Sequence, residues 1–298
     1  MTATPNGEVH GVIIPVPVKL IESDPDKDLP SVQHYVWSQI IASARAGTLK
    51  KDTCRAAVNG TFFNHSQYPY ELQGRVGIGS WPWSGKEIPK QRWAFGISSS
   101  LSFEKKQMES TGSGNYDVPS SLKYPFGLSG IGCLVDNGEG ISDPNIACEG
   151  FTKMDGRYAR TLIAWTKDQN HFFMIWAKGD CIRFLGRPID PGFSWTKGWT
   201  WIEARDFLLD HLPRYLSKNL NLKNQFDIYQ GLLLDGGSHS DIIYIRVRKD
   251  VPALITWTDV KIKFLLRNHY SVEVHDNESD GGIYRRGNRS AVQAYILP

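Results

Sequence analysis

The chain has 298 residues, 41% hydrophobic and 12% aromatic, which is enough apolar material for one large domain and too much for a disordered segment. Its 34 basic and 31 acidic side chains are interspersed and leave a net charge of +3, so the basic stripe of a nucleic-acid binder is missing. No window of about 18 apolar residues exists to span a membrane.

The opening MTATPNGEVHG lacks the basic start and long apolar run of a secretion signal, which predicts a cytoplasmic location. His10 to Leu20 is an apolar run interrupted by prolines and reads as an edge strand. Val32 to Ala46 places Val36, Ile40 and Ala44 on one face and predicts an amphipathic helix. Cys54 to Phe63 reads as a short strand ending in Asn-Gly and two phenylalanines. From Asn64 to Arg92 the chain is rich in Gly, Pro, Ser and Trp, as expected of a long surface loop.

Trp93 to Phe103 reads as a strand, and Glu104 to Leu122 as a polar, mobile insert. Gly127 to Val135 is another strand, with a turn at Asp136-Asn137-Gly138. YARTLIAW and HFFMIWAK, separated by five polar residues, have the signature of a hairpin. Thr200 to Leu212 predicts a helix, with Thr200 and Glu203 spaced as a capping box and Pro213 as its stop. Phe226 to Leu234 is a strand running into Asp235-Gly236-Gly237-Ser238, and Asp241 to Val247 follows as its expected neighbour. The remainder reads mainly as strand, ending in AVQAYILP. Many strands and few helices without regular alternation predict a single α+β domain, largely antiparallel. Four cysteines lie far apart with no Cys-x-x-Cys pair, so free thiols are expected rather than a metal finger or a disulfide framework. Neither a metal nor a cofactor is expected.

Three segments carry chemistry: Asn59-Gly60-Thr61-Phe62-Phe63, Arg160-Thr161 at the head of the hairpin, and Asp235-Gly236-Gly237-Ser238 after a capped helix and a strand. With Phe95-Gly96 and Ser129-Gly130 between them, their order and spacing resemble the phosphodiester glycosidase family over about residues 54–245. Arg289 and the strand after it match that family's closing strand more loosely. The chain departs from the family pattern in three ways. Ser238 follows Gly237 directly, so a third glycine is missing and His239 comes next. Leu162 stands in place of an alanine, and the insert from Glu104 to Leu122 has no counterpart.

The resemblance implies hydrolysis of the glycosidic bond of a sugar-1-phosphodiester, such as an N-acetylglucosamine-1-phosphodiester, with a sugar phosphate or glycan as partner. The residue types suit that reaction. Phosphate is a good leaving group, so anion stabilisation and one carboxylate matter more than a strong general acid. Arg160 offers a planar fork of donors matched to phosphate oxygens, or else forms an ordinary ion pair. Asp235 is a candidate to activate water or attack, or else an Asx-type turn ends a strand there. Asn59 and Gly60 offer an amide and a backbone N–H to substrate, or form a hairpin turn.

Gly236, Gly237 and Ser238 form a candidate anion cradle with His239 beside it. No Gly-x-Ser-x-Gly elbow surrounds Ser238, which argues against a nucleophilic serine. His65 and His239 are candidate proton carriers or surface histidines. Asp180 is a weaker carboxylate candidate. Trp81, Trp83 and Arg75 either cover the substrate or belong to a solvated loop. The alternative is a non-catalytic carbohydrate- or phosphate-binding module on the same fold. A phosphorus–oxygen-cleaving phosphodiesterase is disfavoured, because no cluster of histidines and carboxylates has metal-pair spacing.

Overall fold

Two antiparallel sheets packed face to face organise the computed structural model, which describes residues 9–15, 18–22, 32–64, 71–78, 84–98, 102–122, 126–148, 156–177, 198–219, 227–236, 242–270, 272–276 and 291–296. The larger sheet has ten strands. Its central path runs Val9–Pro15, His171–Ala177, Arg160–Thr166, Ile228–Leu233, Phe126–Asp136 and Arg75–Ile78. The smaller sheet runs Val272–Asp276, Ile242–Val247, Cys54–Asn59, Ala291–Ile296 and Val18–Glu22. The result is the α+β class expected from the sequence, and every pairing between strands is antiparallel among the described residues.

The strands bury both faces, and residue alternation assigns each side chain to one of three apolar layers. Between the sheets, Val58 and Ile242 of the small sheet meet Phe95, Ile163, Trp165 and Leu232 of the large one. On the outer face of the large sheet, Leu162, Ala164 and Leu233 pack under Trp201, Ala204 and Leu208. On the outer face of the small sheet, Ala57 and Ile243 pack against Val36, Ile40 and Ala44 of the Val32–Arg45 helix and Ile262 and Leu266 of the Asp259–His269 helix. The aromatic residues largely fill this core. Phe95, Phe103, Trp165 and Phe172 form one tilted cluster with ring centroids 5.0 to 6.4 Å apart.

Several expectations hold. The Val32–Arg45 helix, the hairpin of Arg160–Thr166 with His171–Ala177, and the turn at Asn137-Gly138 are all present. Thr200 caps its helix with the full reciprocal box: its hydroxyl accepts from the Glu203 amide at 3.2 Å while the Glu203 carboxylate accepts from the Thr200 amide at 2.9 Å. Cys54 and Cys133 are free and buried.

Other expectations need correction. The run from His10 to Leu20 supplies two edge strands, one in each sheet, because Pro15 and Pro17 lack the N–H that a continuous ladder requires. Described parts of the expected Asn64–Arg92 loop contribute strands, and Arg75–Ile78 joins the large sheet. Trp93–Ile97 and Phe103–Gln107 are two paired strands rather than one strand. The Glu104–Leu122 insert is not a loose polar segment: its start is in the Phe103–Gln107 strand, where Lys105 reaches Asp136 at 2.9 Å, and Met108 and Leu122 are buried with Ile88 and Ala94. Ile242–Val247 is not a neighbour of Ile228–Leu233; it lies in the other sheet, between Cys54–Asn59 and Val272–Asp276. The Asp259–His269 helix was not foreseen, because its exposed Val260 and Phe264 blur the period marked by Ile262 and Leu266.

Pro213 does not stop the capped helix. The chain passes from Trp201–Asp206 through a π turn at Phe207–His211 and continues as Leu212–Asn219. The Leu212 amide donates five residues back to the Phe207 carbonyl, and this widened turn accommodates a proline ring that a regular α-turn would exclude.

The long Phe126–Asp136 strand shifts register between Ser129 and Ile131, where Gly130 has φ +77°. A Cβ there would lie 2.0 Å from the Gln73 carbonyl oxygen, which is backbone and cannot step aside. Gly130→Ala should therefore destabilise the protein by about 3 kcal/mol or more, combining a left-handed backbone with a direct clash. Urea denaturation against the parent chain measures it.

Candidate active site

Cys54–Asn59 is central in the small sheet, and Arg160–Thr166 and Ile228–Leu233 are central in the large one. The ends of these three strands meet. Asn59 is 1% exposed, and its side-chain amide spans the gap between the sheets. Its Nδ2 donates to the Asp235 carbonyl at 2.6 Å, and its Oδ1 accepts from the Thr161 hydroxyl at 2.7 Å. Two backbone bonds complete the junction: Asp235 N–H to Gly60 O at 3.0 Å, and Leu234 N–H to Thr161 O at 2.9 Å. Segments distant in sequence, such as Asn59 and Asp235, are thus joined by buried polar contacts.

Asp235 is the carboxylate at this junction. It is 7% exposed, and its Oδ1 accepts from the Gly236 amide at 2.8 Å. Burial pushes its pKa up from 3.8 to about 7, against the opposing pull of the Gly236 amide and the positive charge of Arg92. A carboxyl near neutrality is matched to proton transfer under physiological conditions. Gly236 is required by close packing: a Cβ there would meet the Ala159 carbonyl oxygen at 2.7 Å.

Arg160 is buried where the hairpin begins, and it is fixed from the side of the capped helix. Its Nε donates to the Trp199 carbonyl at 2.9 Å and one terminal nitrogen donates to the Gly156 carbonyl at 3.0 Å. Its guanidinium also sits 5.4 Å from the centroid of the Tyr158 ring. At least two of its donors therefore hold carbonyls, so the residue acts as an anchored positive charge rather than an open fork. Glu203 belongs to the same scaffold, as an ion-pair partner of Arg157 and as half of the cap.

A second group, only partly foreseen, surrounds the Asn-Gly-Thr-Phe segment. The Thr61 hydroxyl donates to the Ser129 carbonyl, and the Ser129 hydroxyl accepts from the Arg75 amide at 2.7 Å. Arg92 donates to the Gly130 carbonyl at 3.1 Å and lies 5.3 Å from the centroid of the Phe62 ring. Phe62 is half-buried and serves as the face on which this arginine rests. Arg75 pairs with Asp117 at 2.6 Å.

Asn59, Gly60, Thr161 and Asp235 are thus joined by direct hydrogen bonds, with Gly236 packed against Ala159 and Ser129-Gly130 held through Thr61, while the Arg160 side chain is directed to the Trp199 and Gly156 carbonyls. Gly237, Ser238, His239, His65, Asp180, Trp81, Trp83 and Arg289 lie outside the described residues, as do Cys181 and the side chain of Phe63. Arg92 was not foreseen. It is a single charged residue preceding the apolar Trp93–Ile97 strand, and nothing local separates it from a solvent-facing one.

Among the described residues no group of three or more His, Cys, Asp or Glu side chains is arranged to hold a metal ion, and no helix is long and apolar enough to cross a membrane. An open groove of about 830 Å³ lies at the opposite end of the Ile228–Leu233 strand, between Lys167, Leu209, Arg214 and Tyr229, and does not include the Asp235 junction.

Two outcomes test this geometry. Asn59→Ala removes the amide that bridges the Thr161 hydroxyl and the Asp235 carbonyl and should cost about 2 to 4 kcal/mol of stability, read by urea denaturation. The raised pKa of Asp235 means that the native state holds more protons than the unfolded chain between about pH 4 and about 7, so stability declines as pH rises through that window. Asp235→Asn stays neutral and should flatten the decline. It should be more stable than the parent at about pH 8, and the difference should disappear at about pH 4.

No family model matches the chain, and no curated protein does. Among solved structures it is similar to the catalytic domain of zebrafish N-acetylglucosamine-1-phosphodiester alpha-N-acetylglucosaminidase, auto-inhibited by its pro-peptide. That match has 13% identity and a TM-score of 0.47, covering 100% of this chain and 86% of the other. The chain is also similar to a hypothetical protein from Synechocystis, at 12% identity and a TM-score of 0.42, covering 97% of this chain and 59% of the other. Both are distant similarities of fold.

Proposed function

We propose that this protein hydrolyses the glycosidic bond of a sugar-1-phosphodiester at the Asp235 junction. The observation that carries the reading is the convergence of the motif segments: Asn59 to Phe62, Ser129-Gly130, Arg160-Thr161 and Asp235-Gly236 meet through direct hydrogen bonds, although the sequence scatters them over more than half of the chain.

The chemistry follows from one buried carboxyl, Asp235, on which the positive charge of Arg92 acts. Water attacks the anomeric carbon and gives its proton to the Asp235 carboxylate. The bond from that carbon to the phosphate oxygen breaks, and the electron pair leaves with the phosphate monoester. The leaving group is already an anion at neutral pH and needs charge stabilisation more than protonation. Arg92 and Arg160 supply fixed positive charge whose orientation is set before substrate arrives, the condition under which such charge is most effective. A pKa near 7 at Asp235 makes the base available at neutral pH, so turnover should rise with pH up to about 7 and then level off.

Asp235→Asn and Arg160→Ala should each lower turnover of N-acetylglucosamine-1-phosphodiester by at least about a hundredfold, with the folded state retained. Mass spectrometry of products in heavy-oxygen water reads both rate and position: carbon–oxygen cleavage places the label on the sugar. Unchanged turnover in both variants removes this mechanism, and label on the phosphate assigns the cut to phosphorus–oxygen instead. Intact ligand retained by the parent protein identifies a binding module.

A further inference from the structure

The Asp259–His269 helix turns an apolar ridge to solvent. Of the seven large apolar side chains that stand exposed among the described residues, four fall between Ile255 and Phe264, so the exposure is concentrated in one place. Val260 is 82% exposed, Ile255 72%, Phe264 59% and Trp257 37%. Val260 and Phe264 are one helical turn apart and share a face, while Ile262 and Leu266 hold the opposite face on the core.

Cations border the ridge on both sides. At 100° per residue, Lys263 and Arg267 fall on one flank of the Val260–Phe264 line and Lys261 on the other. Their charged groups sit over aromatic rings, with the Lys261 ammonium 3.7 Å from the centroid of Trp257 and the Lys263 ammonium and Arg267 guanidinium 4.9 and 5.2 Å from that of Trp37. Arg248 and Lys249 precede the segment. Its acidic side chains are fewer, and both are engaged: Asp259 is paired with Arg45, and Asp250 accepts from the Lys51 amide.

We propose that this face lies on an anionic lipid surface, with Val260, Phe264, Trp257 and Ile255 entering the headgroup layer and the flanking lysines and arginines contacting lipid phosphates. A ridge of separate apolar side chains, with a tryptophan beside it and basic residues along both sides, matches the interfacial boundary of a bilayer. Nothing in the assignment depends on the reaction proposed at Asp235.

Sedimentation of the purified full chain with lipid vesicles tests it. Binding should be about tenfold stronger, or more, to vesicles containing about one third phosphatidylserine than to phosphatidylcholine alone, and should weaken as salt is raised. Val260→Ser with Phe264→Ser should lose at least about tenfold of that binding while keeping the thermal midpoint of the parent, since both side chains are solvent-facing. Lys261→Gln with Lys263→Gln and Arg267→Gln should remove the preference for anionic vesicles. The proposal is overturned by absence of sedimentation with either vesicle, by equal binding of the serine variant, or by a dimer in analytical ultracentrifugation that the serine pair dissolves.

Discussion

The Asn59 side-chain amide, with the Asp235 N–H to Gly60 carbonyl bond beside it, ties the two sheets together at the candidate site. Asn59 belongs to the small sheet, while Thr161 belongs to a strand of the large one and Asp235 lies two residues past the end of its Ile228–Leu233 strand. An amide carries a donor and an acceptor at a fixed separation, so it can satisfy a carbonyl and a hydroxyl at once only if the two sheets keep one spacing and one slide. Elsewhere the sheets meet through apolar side chains, which resist separation but do not define a unique lateral offset. The polar bridge supplies that definition where chemistry requires it.

The same arrangement explains why Asp235 has an unusual acidity. A carboxyl at the mouth of an open cleft would be solvated and ionised; here the strand carries it to the boundary between two apolar layers before the chain crosses from one sheet to the other. The Gly236 amide and the charge of Arg92 pull the other way, but burial outweighs them. The arginines are buried as well and are satisfied in part by backbone carbonyls, which keeps them charged and immobile. The supporting groups are therefore part of the core, and substitutions at the site alter stability and chemistry together.

Fold class and the outline of the site were legible in the sequence for different reasons. Continuous apolar strands such as Arg160–Thr166 and His171–Ala177 declare themselves by composition, and Thr200 with Glu203 declares a helix start by spacing. The motif segments stood out because Asn-Gly, Ser-Gly and Asp-Gly interrupt such strands. What the sequence did not disclose was long-range. Arg92 gains its role from a ring and a carbonyl tens of residues away, and Ile242–Val247 passes to the other sheet immediately after the segment that carries Asp235. The polar segment around Met108 and Leu122 was misjudged because two buried side chains suffice to fix it, too few to register as a periodic pattern.

The π turn has an effect on everything that follows it in its helix. Widening one turn inserts, in effect, one additional residue into the helical count and shifts the azimuth of later side chains by about 100°. With an uninterrupted α-helix the apolar stripe through Trp201, Ala204 and Leu208 would continue onto Tyr215. After the phase slip, Leu212 and Leu216 face inward and Tyr215 is 61% exposed. Without the turn, Tyr215 would point inward and Leu216 toward solvent, so the side chains at 215 and 216 suit the slipped phase and not an unbroken helix.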